Sequence, residues 1–285
     1  MKSMRKQMLV SVIVALFLVT GCQKVQKFGG KPRLKTYKSI ITLSPSTTEL
    51  MALTGVPIVG RTKACDFPAS VTAVDVVADL KPNYEKIASK NPDLILLDRD
   101  LYGPIEVEKL KTPGVDVRVI GSDTVEGYIK ELYELGGLLS GESTINDYVI
   151  KVRKNVEAAQ GDKPPRPITA IMIVPDLGGR HLIAGSKSFQ ADEVRIVGPT
   201  LVGPDSNKFE SLNPEWLISQ NPDWIIIAGE KKDFLADTRF SNLSAVKKMK
   251  FFSMDPNICL RRGMRVDKFI YTAHKAIMLG EGTNK

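Results

Sequence analysis

The sequence predicts an α/β fold of two similar lobes joined by a long helix, and three features predict it. From Ser39 onward, short β-branched runs alternate with amphipathic helical patterns, the rhythm of strands laid in parallel between helices. Residues 124–160 break that rhythm with apolar positions at helical spacing and no proline. The segment "NYEKIASKNPDLILL" from Asn83 returns without a gap as "NPEWLISQNPDWIII" from Asn213, an offset of 130 residues.

Taken in order, "SIITL" reads as a strand and Ser46 to Leu53 as a helix, followed by the strand "PIVG", the loop "KACDFP" and a short strand near Val76. The helix "NYEKIASK", the strand "DLILLD", a helix near Glu106 to Lys111 and the strand "VDVRVIG" complete an N-terminal lobe over 38–123. Tyr128, Leu132, Leu135, Leu138 and Leu139, then Ile145, Tyr148, Val149, Val152 and Val156, mark a connecting helix over 124–163. Gly136, Gly137 and Gly141 allow it to be one helix or two abutting ones, and "GDKPPRP" ends it. The C-terminal lobe, 164–285, restarts with "ITAIMIVP", "HLIAG", a helix from Ser188, "DWIIIAG", "KFFSMD" and a helix from Met264 to Leu279.

The N-terminus reads as a leader. Lys2, Arg5 and Lys6 precede an apolar run from Met8 to Val19, too short for a stable membrane span. Val19-Thr20-Gly21-Cys22 resembles a bacterial lipobox, so residues 1–21 are expected to be removed and Cys22 to carry lipid, with 22–37 a tether to the membrane. Export and lipid anchoring at the cell envelope follow. Of the formal charge of +8, three units lie in the leader. The rest is scattered, with no basic stripe or interleaved aromatics, so no nucleic acid is expected as a partner.

Enzyme chemistry lacks its signatures: there is no G-x-S-x-G elbow and no phosphate-cradling glycine loop. Only His181 and His274 exist, too few for a multi-histidine metal site, and no metal or cofactor is expected. Cys65 and Cys259 could pair in an oxidising compartment or stay as buried thiols. Asn83 and Asn213 suit helix N-caps, which places Glu85 and Glu215 in first turns where the helix dipole favours a carboxylate. Ser44 to Thr48 likewise suit either a helix cap or contact with a ligand.

"ITLSPSTTELMALTGVPIVGRTKACDFP", "IAGSKSF", "SNLSAVKKMKFFSMD" and "RRGMRV", with the repeated pair, together resemble the substrate-binding proteins of ABC importers for cobalamin, haem and ferric siderophores. The resemblance runs from about Lys38 to the C-terminus. It implies a rigid backbone helix, a ligand cleft between the lobes and a monomer that delivers its ligand to a permease dimer with ATPase subunits. Placement after apolar runs then makes Ser44, Thr47, Phe67, Tyr102, Arg180, His181 and Arg262 the candidate ligand-binding residues. Glu85 and Glu215 become candidate permease-docking residues. The ligand expected first is cobalamin or another corrinoid, then a ferric siderophore. Haem would need an axial ligand, for which Tyr102 and His181 are the loop candidates. Against cobalamin, "VVADLKPNYE" lacks the tryptophan that cobalamin-binding relatives often carry there. Arg261-Arg262-Gly263-Met264-Arg265 stands where the family usually has R-P-G-P-R, and its arginines suit anionic groups unless they are solvated surface charge. A sensor or scaffold that kept the fold and lost transport is the alternative from another class.

Overall fold

A computed structural model describes residues 37–139 and 142–280. The leader, Cys22 and all of the tether before Tyr37 lie outside the described residues. Two sheets organise the chain. The first contains β1 (Ile40–Thr42), β2 (Ile58–Thr62), β3 (Val76–Ala78), β4 (Leu94–Asp98) and β5 (Asp116–Ile120) in the order β3-β2-β1-β4-β5, all parallel. The second contains β6 (Thr169–Val174), β7 (Leu182–Ala184), β8 (Thr200–Leu201), β9 (Phe209–Ser211), β10 (Trp224–Ala228) and β11 (Phe251–Met254) in the order β11-β10-β6-β7-β9, with β8 beside β6.

Read from the opposite edge, the second order is β9-β7-β6-β10-β11, strand for strand the plan of the first. The sequence repeat falls on equivalent elements, because β4 and β10 begin 130 residues apart. One strand departs from the parallel expectation: β7 runs antiparallel to both β6 and β9. Residues 175–181 are too few for a parallel crossover, so the chain can only turn back on itself.

Period-two alternation divides the apolar residues between sheet faces. Ile40, Leu94 and Leu96 of the first sheet, with Ala170, Met172, Trp224 and Ile226 of the second, enter one core that is continuous across both lobes. Ile41, Ile95 and Leu97 fill a separate outer core under α2 (Tyr84–Ser89) and α3 (Pro104–Leu110). Ile171, Ile173, Ile225 and Ile227 do the same under α7 (Pro214–Gln220), α8 (Lys231–Leu235) and α9 (Ser244–Lys247).

The shared core is closed by α1 (Pro45–Thr54), α4 (Val125–Leu138), α5 (Glu142–Gly161), α6 (Phe189–Ile196) and α11 (Val266–Leu279), with the short α10 (Pro256–Cys259) leading into α11. The connecting region is two helices packed against each other, not one. The chain leaves α4 at Leu139, an extended residue whose N–H still bonds the Leu135 carbonyl. The 20 residues of α5 span about 30 Å and pack against α1, α4, α6 and α11, so α5 is the element that touches helices of both lobes.

Candidate functional site

The N-terminal lobe presents the ends of β1, β2 and β4. Ser44 caps α1 by accepting from the Thr47 N–H at 3.1 Å, and its hydroxyl also meets the Thr47 hydroxyl at 2.8 Å. Both residues are fully buried, so their hydroxyls serve the cap and not an open groove. Arg61 donates to the carbonyls of Thr62, Cys65, Thr72 and Val74, which fixes the loop carrying Asp66 and Phe67. Tyr102 packs into the outer core with its residue 6% exposed, and burial pushes its phenol up to about 12.

The C-terminal lobe presents the β6–β7 turn and the segment after β10. Here Asp176, Leu177, Gly179, His181, Asp237 and Arg239 line a hollow of about 280 Å³. His181 is buried between Phe234 and Phe240, and both ring nitrogens are occupied. Nδ1 accepts from the Asp176 N–H at 3.0 Å, which makes Nε2 the protonated nitrogen, donating to Asp237 Oδ2 at 3.2 Å. Arg239 donates to both oxygens of Asp237 and to the Gly179 carbonyl. Hydrogen bonds from Arg239, above all, hold the Asp237 carboxyl down at about 2.

A carboxylate depressed in the folded state stabilises the fold above its unfolded value of about 3.9, and that contribution is lost as pH falls towards 2. Asp237→Asn is therefore expected to lower stability by about 1–2 kcal/mol at neutral pH, discounted for the half-exposed Arg239, and by little near pH 2. Urea unfolding at several pH values checks this. A difference independent of pH would remove the charge from the explanation.

Between the lobes lies a network of ions. Arg262, from the C-terminal half, donates through Nη2 to Asp98 Oδ1 at 2.6 Å and to Asp100 Oδ2 at 2.5 Å. Arg261 bonds Asp66 at 2.9 Å and Glu49 at 3.2 Å, while Arg265 bonds Glu49 at 2.5 Å and stacks over the Phe67 ring at 4.5 Å. Glu49 is fully buried. Gly263 is required beside it, because a Cβ there would overlap the Glu49 carboxylate. The Gly263 carbonyl is itself held by the hydroxyls of Tyr128 and Tyr148.

Several expected placements change. Arg262 is 5% exposed and already shared by two carboxylates, so it braces the lobes instead of offering a free charge. Tyr102 is buried in the outer core, and His181, although it lines the hollow at the β6–β7 turn, is buried with both ring nitrogens bonded; Phe67 lies under Arg265. Arg180 is exposed on the β6–β7 turn and pairs with Asp176. Cys65 and Cys259 are both free and buried: the Cys65 thiol meets the hydroxyls of Thr48 and Thr62, whereas Cys259 lies near Met254. Glu49, Asp98 and Asp237 escaped the sequence reading. The signal for Glu49 was a lone acid in the otherwise uncharged "STTELMALT", which the structure sets against Arg261 and Arg265 far along the chain.

Large apolar side chains stand in solvent on the same strand ends: Leu80 after β3 is 92% exposed, Leu101 after β4 58%, and Leu177 after β6 82%. Two α/β lobes with loops gathered at strand ends, and ion pairs joining the lobes, form a two-lobed frame of the kind that holds a ligand where its strands end. The chain belongs to the periplasmic binding protein family, whose model matches residues 40–258. It is 23% identical over 246 residues to the uncharacterised ABC transporter substrate-binding lipoprotein YvrC of Bacillus subtilis, covering 81% of this chain and 77% of that protein. It is 24% identical over 213 residues to the vitamin B12-binding protein of Salmonella typhimurium, covering 69% and 74%. The periplasmic heme-binding protein BhuT, solved with two hemes, superposes with a TM-score of 0.73 at 19% identity, covering 85% of this chain and 98% of that one, a likeness of fold.

Proposed function

We propose that this protein is the substrate-binding component of an ABC importer and that its ligand is a corrinoid such as cobalamin, delivered to a permease dimer with its ATPase subunits. Similarity to a substrate-binding lipoprotein and to a vitamin B12-binding protein supports this reading. The observation that carries the ligand class is how the polar groups are already used. Arg261, Arg262 and Arg265 are neutralised by Glu49, Asp66, Asp98 and Asp100, so this arginine cluster leaves little cationic charge for propionates or an anionic siderophore. Both His181 nitrogens are bonded and the Tyr102 phenol is buried, which removes the two candidate axial ligands for haem. Cobalamin brings both axial ligands of its cobalt with it. Exposed Leu80, Leu101 and Leu177 offer apolar surface to a large, mostly uncharged macrocycle.

Haem remains the second reading, favoured by the fold's likeness to a heme-binding protein. Equilibrium dialysis of a soluble form lacking residues 1–22 against cyanocobalamin, haemin and ferric siderophores separates them. We expect cyanocobalamin to bind at micromolar concentration or below, and haemin and siderophores to bind at least about 10-fold more weakly, a difference of about 1.4 kcal/mol. Haemin binding one-to-one with a shifted Soret band, while cobalamin stays free, would overturn the assignment. Tryptophan quenching is a weaker probe, since Trp224 is buried at the start of β10, opposite the strand ends.

A further inference from the structure

The β6–β7 turn is held at both of its ends by side chains that lie beneath it. Asp176 to Gly179 form a β-turn closed by the Gly179 N–H on the Asp176 carbonyl at 2.9 Å, with Leu177 and Gly178 at the two central positions. Gly179 has φ of 70°, and a Cβ there would stand 3.0 Å from Arg239 Nη2, so glycine serves both the left-handed backbone and the close approach of the guanidinium. The Asp176 carboxylate is spent within the turn, on the Gly178 N–H and on Arg180, each at 3.3 Å. At the first end, the Asp176 N–H donates to His181 Nδ1 at 3.0 Å. At the last, the Gly179 carbonyl accepts from Arg239 Nη2 at 2.9 Å. His181 Nε2 donates to Asp237 Oδ2 at 3.2 Å, and Arg239 Nε donates to both oxygens of the same carboxylate, so one chain of side chains joins the two ends.

His181 is the fixed member of that chain. Its ring is buried between Phe234 and Phe240, with centroids 5.5 and 5.8 Å away, and its carbonyl accepts from the Leu212 N–H at 2.9 Å. A phenyl ring would fill this aromatic socket with nothing polar to desolvate, whereas an imidazole there needs both nitrogens bonded. Packing therefore does not account for the residue type; the two bonds do, and both lead to the turn. What the turn displays is Leu177, which stands in solvent at the carboxyl end of β6 and lines the hollow above His181, Asp237 and Arg239. An apolar side chain that closes on a ligand loses rotational freedom, and a backbone fixed beforehand lowers that cost.

We propose that His181 is a positioning residue of the ligand site: without touching ligand, it holds the β6–β7 turn, through Asp176 on one side and through Asp237, Arg239 and Gly179 on the other, so that Leu177 is set as an apolar contact. The proposal rests on the reading of the strand ends as the place where ligand is bound. It gives the buried imidazole a use that axial ligation, with both nitrogens occupied, does not.

Hydrogen exchange on the ligand-free protein reads the turn by itself. The Asp176 amide should exchange at least about 10-fold faster in His181→Phe than in the wild type, while His181→Asn, whose Oδ1 can stand near the place of Nδ1, should keep much of the protection. Affinity is then measured as a double-mutant cycle by equilibrium dialysis against cyanocobalamin, or against haemin or the ferric siderophore if one of these binds in its place. Leu177→Ala should weaken binding by about 10-fold and His181→Phe by about 3- to 10-fold, whereas adding His181→Phe to Leu177→Ala should change affinity by less than about 2-fold. His181→Asn should bind more tightly than His181→Phe; a residue that served packing alone would give the reverse order. Arg239→Gln, at a side chain about half exposed, breaks the other end of the chain should His181→Phe fail to fold, and its loss should likewise vanish in the Leu177→Ala background. An Asp176 amide as protected in His181→Phe as in the wild type, losses that add in the cycle, or a Leu177→Ala protein that binds as the wild type does would overturn the proposal and leave the binding function standing. A wild type that binds none of these chelates would overturn both.

Discussion

Glu49→Ala is expected to destabilise the protein by about 3–5 kcal/mol, among the largest effects of any single substitution. Glu49 lies in α1 without solvent contact and receives Arg261 at one oxygen and Arg265 at both. Arg265 is 7% exposed at its side chain, and its remaining ionic contact, with Asp255, is 3.9 Å long. Removing the carboxylate therefore leaves a buried guanidinium that neither water nor a second acid can satisfy. Asp66, about three-fifths exposed, still holds Arg261, which identifies Arg265 as the group that carries the cost. Urea unfolding measures it. Replacing both partners, as Glu49→Leu with Arg265→Met, should cost less than Glu49→Ala alone, because the penalty belongs to the unpaired charge and not to the lost pair. A loss below about 1 kcal/mol for Glu49→Ala would show that solvent reaches Arg265 and that the pair is a surface contact in energetic terms.

The same pair shows what a sequence reveals and what it hides. Lobe architecture was legible because burial imposes local patterns: the unbroken apolar run Trp224 to Ala228 follows from a strand packed on both faces, and Asn83 and Asn213 mark helix starts by cap chemistry. The doubled plan was legible because the repeat has a fixed offset. The break between α4 and α5 was left open, since glycine weakens a helix without stating where it ends. The reversal of β7 needed the length of the turn before it to be weighed against a crossover. Side-chain partnerships lie further out of reach. Arg262 beside Arg261 reads equally as ligand contact or surface charge, and only contact with Asp98, 164 residues away, decides. His181 on a loop after a strand reads as a ligand until Asp176 and Asp237 are seen to occupy both nitrogens.

Loss of uptake without loss of ligand binding is the result expected from Glu85→Ala combined with Glu215→Ala. Asn83 caps α2 by accepting from the Lys86 N–H at 2.9 Å, and Asn213 caps α7 by accepting from the Trp216 N–H at 2.9 Å, so the glutamates occupy identical helical positions. Both residues are exposed. Each helix follows the corresponding outermost strand of its sheet, β3 for Glu85 and β9 for Glu215, and enters from that strand's carboxyl end. The caps and the core residues Ile87 and Leu217 hold the helices without help from the carboxylates, so folding should change by no more than about 0.5 kcal/mol per substitution. A permease dimer presenting one arginine cluster to each lobe would bond both carboxylates at once, and each charge-assisted contact is worth about 1.5–3 kcal/mol. Each single substitution should therefore weaken docking by roughly 10- to 100-fold, and the double substitution should abolish uptake at ordinary concentrations. Reconstituted permease with purified variants gives the docking affinity, and dialysis gives ligand binding in the same samples. Normal transport by the double variant would reduce both residues to first-turn acids that serve the helix dipole, and a fall in ligand affinity would move them from the docking surface into the cleft.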